Sequence, residues 1–97
     1  MVTVISRSAE NGGGGASAYA VSKMGVLALT RALAIENRVR GVRFNAISPG
    51  TIDTEANRLA MPRADRSHWT SPEAIAKVVA WLLSPASATV TGGVFPV

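Results

Sequence analysis

Two side chains able to exchange protons, Tyr19 and Lys23, stand four residues apart near the start of an apolar-periodic segment. In an α-helix, positions i and i+4 lie one turn apart on the same face, so the phenol and the ammonium can reach the same small volume. A free phenol has a pKa of about 10, too high for efficient proton exchange at neutral pH, and a neighbouring ammonium favours its phenolate form. The pair therefore predicts an acid/base site for interconverting a carbonyl and an alcohol.

The spacing alone also fits an ordinary helix surface, in which the ring packs and the ammonium is solvated. The residues around the pair favour a catalytic site over an ordinary helix surface. Ser6 stands at the end of a predicted strand and can hold the same substrate oxygen by a hydrogen bond, and Pro49-Gly50 forms a turn after the next strand. The three side chains together predict a proton-transfer site.

The elements that position these residues alternate between strand and helix. β-branched and apolar runs, turn signals and helix caps predict strands at 2–5, 42–48 and 91–97, and helices at 18–38 and from Pro72 to Pro85. The order strand-helix-strand-helix-strand predicts an α/β fold with a parallel sheet and right-handed crossovers. Functional residues of such sheets gather at the carboxyl ends of the strands, where Ser6 and Pro49-Gly50 stand.

Two segments between these elements are irregular. The glycines at 12–15 match no phosphate-binding spacing, so we interpret residues 7–17 as a flexible connector. Residues 53–70 predict a loop with a short helical piece that covers a ligand, from which Met61 and Trp69 can touch substrate. By default His68 is a loop residue and Glu10 a solvated carboxylate, while Trp81 is predicted to lie in the core.

Composition excludes several classes of protein. With 97 residues, 47% of them hydrophobic, the chain is one globular domain at most. It has no cysteine and a single histidine, which argues against disulfides and metal. The net charge is +4, but the arginines are scattered, so no nucleic-acid partner is expected. The longest apolar run, 78–83, is far shorter than the ~20 residues that cross a bilayer, and no secretory signal is visible, which predicts a cytoplasmic protein without a membrane segment.

Four ordered motifs together resemble the short-chain dehydrogenase/reductase family over essentially all 97 residues. They are Ser6, Tyr19-Ala20-Val21-Ser22-Lys23, the stretch 43–54 and Thr91-Gly92-Gly93. The resemblance implies the C-terminal part of a Rossmann-type doubly wound parallel sheet. It also implies NAD or NADP as cofactor, a small carbonyl or alcohol substrate, and a homo-oligomer when full length.

The resemblance also implies catalytic roles for the three side chains. Tyr19 would protonate or deprotonate the substrate oxygen, and Ser6 would polarise or position that oxygen. Lys23 would favour the phenolate and bind the nicotinamide ribose, beside Tyr19. The family motif often has two adjacent serines, whereas this chain has Ser6-Arg7-Ser8, so Ser8 remains the alternative.

The turn after the second strand matches the stretch of the family that meets the nicotinamide. Pro49 and Gly50 would line the ring, the backbone of Ile52 would meet the carboxamide, and the hydroxyl of Thr54 would assist there. Asn45 and Asp53 are predicted to hold the local backbone.

Two further expectations follow from the resemblance. Residues of the stretch 51–69 are similar to the corresponding loop of dihydropteridine reductase-like members. The glycine-rich dinucleotide-binding half of the family has no counterpart, so 1–97 is expected to be the C-terminal catalytic portion of a single domain, inactive alone and with an exposed sheet edge. The alternative is a truncated, non-catalytic remnant or subunit-interaction module that lacks the cofactor-binding half.

Overall fold

The computed structural model describes residues 1–97 and contains a parallel sheet flanked by helices. The elements are β1 Val2–Val4, α1 Arg7–Glu10, α2 Ser17–Glu36, β2 Asn45–Ser48, α3 Glu55–Ala60, α4 Pro72–Leu83, a 3-10 turn Pro85–Ser87, and β3 Val94–Pro96. The three strands are parallel in the order β1-β2-β3, with Val4 opposite Ile47 and Ile47 opposite Phe95. The predicted alternation of strands and helices is confirmed.

Successive residues of β2 point to opposite faces of the sheet, and this divides the core in two. Ala46 packs with Ile5 and with Leu27 of α2. The adjacent Ile47 packs with Ile75 and Leu82 of α4. Both faces of the central strand are therefore covered, as parallel sheets require.

Helix α4 begins and packs as its sequence predicts. The hydroxyl of Ser71 accepts a hydrogen bond from the backbone N of Ala74 at 3.2 Å, and Pro72 occupies the first turn, where its missing N–H costs nothing. The predicted stripe of Ile75, Val78, Val79 and Leu82 faces the sheet. Trp81 was expected in the core, and this is wrong: it is 43% exposed because it lies off that stripe, with its ring edge-on to that of Phe95.

The second and third strands begin later than predicted, because the residues before each of them form a turn rather than part of the sheet. The guanidinium of Arg43 donates to the carbonyl oxygens of Ser84, Ser87 and Val90. Before β3, Gly92 takes a positive φ of 75°, which suits glycine. The side-chain hydrogen bonds of Arg43 therefore join the start of β2 to the segment that follows α4, and they are not part of the sheet.

The segment predicted to be a flexible connector contains a short helix, α1, so the prediction is wrong for residues 7–10. Arg7 donates its backbone N–H to the carbonyl oxygen of Pro49 at 3.0 Å, and the hydroxyl of Ser48 donates to the carboxylate of Glu10. Glu10 is thus a fixed acceptor rather than a free loop carboxylate. Contacts with the end of β2 hold this turn in place.

Helix α2 leaves much of its apolar surface uncovered. Only Leu27, Thr30 and Ala34 are buried, and Val21, Leu29 and Ile35 are exposed. With 20 residues and a mean hydropathy of 1.3, α2 is the one helix long and apolar enough to cross a membrane by length and composition alone, a test that soluble core helices also pass. The absence of a membrane segment stays a prediction.

Candidate active site

A cleft of about 310 Å³ opens where β1 and β2 end, beside the first turns of α2. Its lining comprises Val4, Ile5, Ser6, Tyr19, Lys23, Pro49, Gly50, Thr51, Ile52, Asn57 and Met61. The three predicted catalytic side chains therefore share one cleft with Pro49, Gly50 and Ile52, as parallel strands bring their carboxyl ends to one edge of the sheet.

Tyr19 and Lys23 lie in the opening turns of α2, on the face that meets the end of β1. The ammonium of Lys23 donates to the carbonyl oxygen of Val4 at 3.2 Å and lies 5.8 Å from the centroid of the Tyr19 ring. Tyr19 is 48% exposed. The ammonium is therefore anchored on the sheet beside the phenol, unlike the freely solvated lysine of an ordinary helix surface.

Ser6 stands two residues after the end of β1, at the N-cap position of α1. Its carbonyl oxygen accepts a hydrogen bond from the backbone N of Glu10 at 3.1 Å, and its side chain is nearly buried, with 9% of the residue exposed. The hydroxyls of Ser6 and Ser8 are 2.8 Å apart. Ser6 lines the cleft with Tyr19, whereas Ser8 lines a neighbouring pocket.

The turn after β2 is held in place by backbone hydrogen bonds to Thr70, which forms an isolated parallel bridge with Ile52. Thr70 accepts from the backbone N of Asp53 at 2.8 Å and donates to the carbonyl oxygen of Thr51 at 3.1 Å. The carbonyl oxygen of Ile52 accepts from the side-chain amide of Asn57 at 2.8 Å. The backbone N–H of Ile52 has no protein acceptor.

Thr54, predicted to act beside Ile52, does not line the cleft. Its hydroxyl accepts from the backbone N of Asn57 at 3.2 Å and so caps α3. Its side chain borders a separate apolar groove. The structure therefore brings Ile52 to the cleft and leaves Thr54 outside it.

Asn45 and Asp53 differ in how they fit their predicted roles. The side chain of Asn45 accepts from the backbone N of Gly93 at 3.0 Å and donates to the carbonyl oxygen of Val90 at 2.9 Å, so it does hold the local backbone. The carboxylate of Asp53 instead pairs with Arg58, at 2.6 Å and 2.8 Å. Hydrogen bonding to Arg58 lowers the pKa of Asp53 below its ordinary value.

Sequence reasoning missed Asn57 and the anchoring contact of Glu10. Asn57 sits three residues after the cap Thr54, a position common in ordinary helices, and its reach to Ile52 depends on the fold of the turn. Of the covering segment, Met61 lines the cleft, while His68 and Trp69 do not. Lys23 is the only charged side chain in the lining.

A larger groove of about 610 Å³ runs along α4 and is almost entirely apolar. Its lining comprises Ile52, Thr54, Pro72, Ile75, Ala76, Val79, Ala80 and Leu83. It contains no acid, base or nucleophile apart from one threonine. The side chains able to exchange protons therefore line the smaller cleft, and Ile52 is the residue common to both cavities.

The chain matches known oxidoreductases in sequence. The model of a family described as enoyl-(acyl carrier protein) reductase matches residues 1–97. An acetoacetyl-CoA reductase from Synechocystis sp. is 42% identical, over 100% of this chain and 44% of the relative. A 3-oxoacyl-[acyl-carrier-protein] reductase from Pseudomonas aeruginosa is 40% identical, over 89% of this chain and 38% of the relative. The chain thus spans less than half the length of these curated relatives.

Solved structures show the same likeness. A short-chain type dehydrogenase/reductase from Mycobacterium ulcerans superposes with a TM-score of 0.90 at 31% identity, covering 99% of this chain and 38% of that one. A candidate NAD(P)-dependent gluconate 5-dehydrogenase from Beutenbergia cavernae, solved with NADP bound at low occupancy, gives a TM-score of 0.86 at 34% identity, covering 98% of this chain and 42% of that one.

These matches confirm the predicted Rossmann-type fold, while the likeness to dihydropteridine reductase-like members stays a prediction. Sequence and structure agree over nearly every residue of the chain. The chain belongs to the short-chain dehydrogenase/reductase family.

Proposed function

We propose that residues 1–97 form the C-terminal catalytic portion of a single Rossmann domain that transfers hydride between a nicotinamide cofactor and a carbonyl or alcohol substrate. The observation that carries the proposal is the shared cleft of Ser6, Tyr19 and Lys23 at the carboxyl ends of two parallel strands. We expect catalytic activity to require a cofactor-binding half as well, because this chain matches less than half the length of its reductase relatives.

Each side chain has a distinct role in carbonyl reduction. Ser6 donates a hydrogen bond to the substrate carbonyl oxygen and fixes its direction. Tyr19 donates its phenolic proton to that oxygen as the carbonyl carbon accepts a hydride, which yields the alcohol and a phenolate. Lys23 stabilises this phenolate by its charge. Oxidation of the alcohol follows the same steps in reverse.

The residues of the cleft fit a nicotinamide cofactor. NAD or NADP, when bound, supplies or accepts the hydride. The free N–H of Ile52 suits the oxygen of a carboxamide, and Pro49 and Gly50 offer a wall without bulky side chains. Lys23 and Tyr19 would bind the ribose hydroxyls, and the NADP of the Beutenbergia cavernae relative supports the same cofactor class here. Thr54 belongs to the binding set only if the turn rearranges toward the cleft.

The surroundings of the site suit a soluble enzyme subunit. The exposed apolar residues of α2 favour association with further copies in a homo-oligomer, and we place the protein in the cytoplasm, acting on a small molecule. A non-catalytic remnant would have no need to hold Lys23 against Val4 beside the phenol. This contact makes the enzyme the better proposal.

The test uses a completed protein, in which residues 1–97 are preceded by a cofactor-binding half encoded upstream or taken from the Synechocystis relative. Isothermal titration of NADH and NADPH should show binding to the completed protein and none to the chain alone. Tyr19→Phe should lower kcat about 10²–10⁴-fold, because it removes the hydroxyl that transfers the proton, and should change cofactor affinity far less, because Lys23 remains to bind the ribose.

Ser22→Ala is the matched control, since Ser22 lies on the same turn and its hydroxyl donates only to the carbonyl oxygen of Tyr19. It should retain activity. Near-normal turnover by Tyr19→Phe would reject the assignment of the proton donor.

A further inference from the structure

A polar pocket adjoins the catalytic cleft and shares part of its wall. Its volume is about 340 Å³, and Ser6 and residues 49–51 line both cavities. The rest of its lining is Arg7, Ser8 and Asn11, and no hydrophobic side chain takes part. A group attached to a carbonyl at Ser6 can therefore extend from the cleft into polar surroundings.

Arg7 is the only charged residue in this lining, and the fold holds it in place. Its backbone N–H donates to the carbonyl oxygen of Pro49 at 3.0 Å, and its Nη2 donates to the carbonyl oxygen of Val97 at 3.1 Å. Its Nη1 lies against Gly50, only 3.4 Å from where a Cβ would stand there. The guanidinium is therefore anchored at the wall common to the two cavities.

No aspartate or glutamate of the chain pairs with Arg7. A guanidinium has five N–H donors, and Val97 takes one of them, while the remainder have no protein acceptor. Glu10, on the same short helix, accepts from the hydroxyl of Ser48 and does not line the pocket.

From these contacts we infer that the pocket binds a carboxylate carried by the substrate, with Arg7 as its partner. Guanidinium and carboxylate form strong, often bidentate hydrogen bonds, and the hydroxyl of Ser8 and the amide of Asn11 add donors beside them. The inference rests on the proposed function and narrows it: the substrate pair is a small oxo acid and the corresponding hydroxy acid.

Two probes of nearly equal shape test this inference in the completed protein. They are 4-oxopentanoate, which carries a carboxylate, and 2,5-hexanedione, which carries a neutral acetyl group at the same position. Wild type should prefer the oxo acid in kcat/KM. Arg7→Gln should reduce the ratio of the two kcat/KM values about 10–100-fold, because a charge-assisted hydrogen bond is lost for one probe only, and Arg7→Lys should retain part of the preference.

Arg40→Gln is the control, because the substitution removes the same charge. Arg40 is exposed and lines neither cavity. A wild-type preference for the diketone, or an unchanged ratio in Arg7→Gln, would overturn the inference. So would a loss of NADPH affinity in Arg7→Gln with an unchanged ratio, because Arg7 would then serve the cofactor.

Calorimetric titration of both probes separates this inference from the proposed reaction. Tyr19→Phe should lose turnover and keep the binding preference for 4-oxopentanoate. If the proposed reaction is wrong, no probe is turned over, and preferential binding that depends on Arg7 still supports the carboxylate pocket. Equal affinity for the two probes, or no binding of 4-oxopentanoate, overturns it whether or not turnover occurs.

Discussion

The candidate catalytic cleft and the apolar groove along α4 share Ile52 and differ in almost every other lining residue. The cleft is lined by hydroxyls, a phenol, an ammonium and a glycine turn, and the ammonium is held by a hydrogen bond to the backbone of β1. The groove is larger and nearly free of polar groups. The chain therefore brings its candidate catalytic side chains together on a sheet whose apolar surfaces are only partly covered.

The largest expected effect concerns those uncovered surfaces. Strand β1 pairs only with β2, and the groove and the outer face of α2 expose apolar side chains. We expect residues 1–97 alone to aggregate or to melt without a cooperative transition, because an open sheet edge and large apolar patches favour association. Analytical ultracentrifugation and a thermal melt followed by circular dichroism measure this, with the completed protein as control. A soluble monomer with a sharp melt would show that the groove needs no cover.

The next effect tests whether the cleft depends on its single charge. Lys23→Met in the completed protein should reduce kcat about 10²–10⁴-fold, since the phenolate of Tyr19 loses the ammonium that stabilises it. Lys77→Met is the matched control, because Lys77 is the only other lysine, is exposed and lies outside the cleft. Equal losses in the two variants would mean that Lys23 acts through general charge rather than through its place in the cleft.

A pair of neighbouring leucines compares the core with the groove. Leu82 is 1% exposed against Ile47, whereas Leu83 is 58% exposed and borders the groove. Leu82→Ala should cost about 2–5 kcal/mol of unfolding free energy, and Leu83→Ala about 1 kcal/mol or less, as measured by urea denaturation of the completed protein. A cost for Leu83→Ala as high as that for Leu82→Ala would show that another part of the protein fills the groove.

The smallest effect concerns the exposed ion pair of Asp53 and Arg58 on the rim between the two regions. Because Arg58 lowers the pKa of Asp53, the pair contributes stability above the ordinary aspartate pKa, and this contribution is lost as pH falls through the lowered value. The difference in melting temperature between wild type and Asp53→Asn should therefore shrink below about pH 4. A difference independent of pH from neutral to acid would rule out the ion pair as its cause.

Much of the fold followed from local patterns in the sequence. The cap Ser71 and Pro72 at the first position start α4 as their chemistry predicts, and its apolar spacing selects the buried stripe. Trp81 and the helix α1 were not predicted correctly. Trp81 lies edge-on to Phe95 of β3, a residue distant along the chain. Helix α1 is held by the hydrogen bond between Arg7 and Pro49, which also lie far apart in sequence.

By itself the sequence determined that Tyr19 and Lys23 share a helix face, since that follows from the helical repeat. It also determined the alternation of strands and helices, which follows from apolar periodicity. Only the tertiary structure decided that Ser6 rather than Ser8 lines the cleft and that Thr54 lies outside it. The position of Ser6 depends on the backbone hydrogen bond between Arg7 and Pro49, which are distant along the chain. Thr54 caps α3 through a local contact with Asn57, but the turn that carries it is held by the distant Thr70.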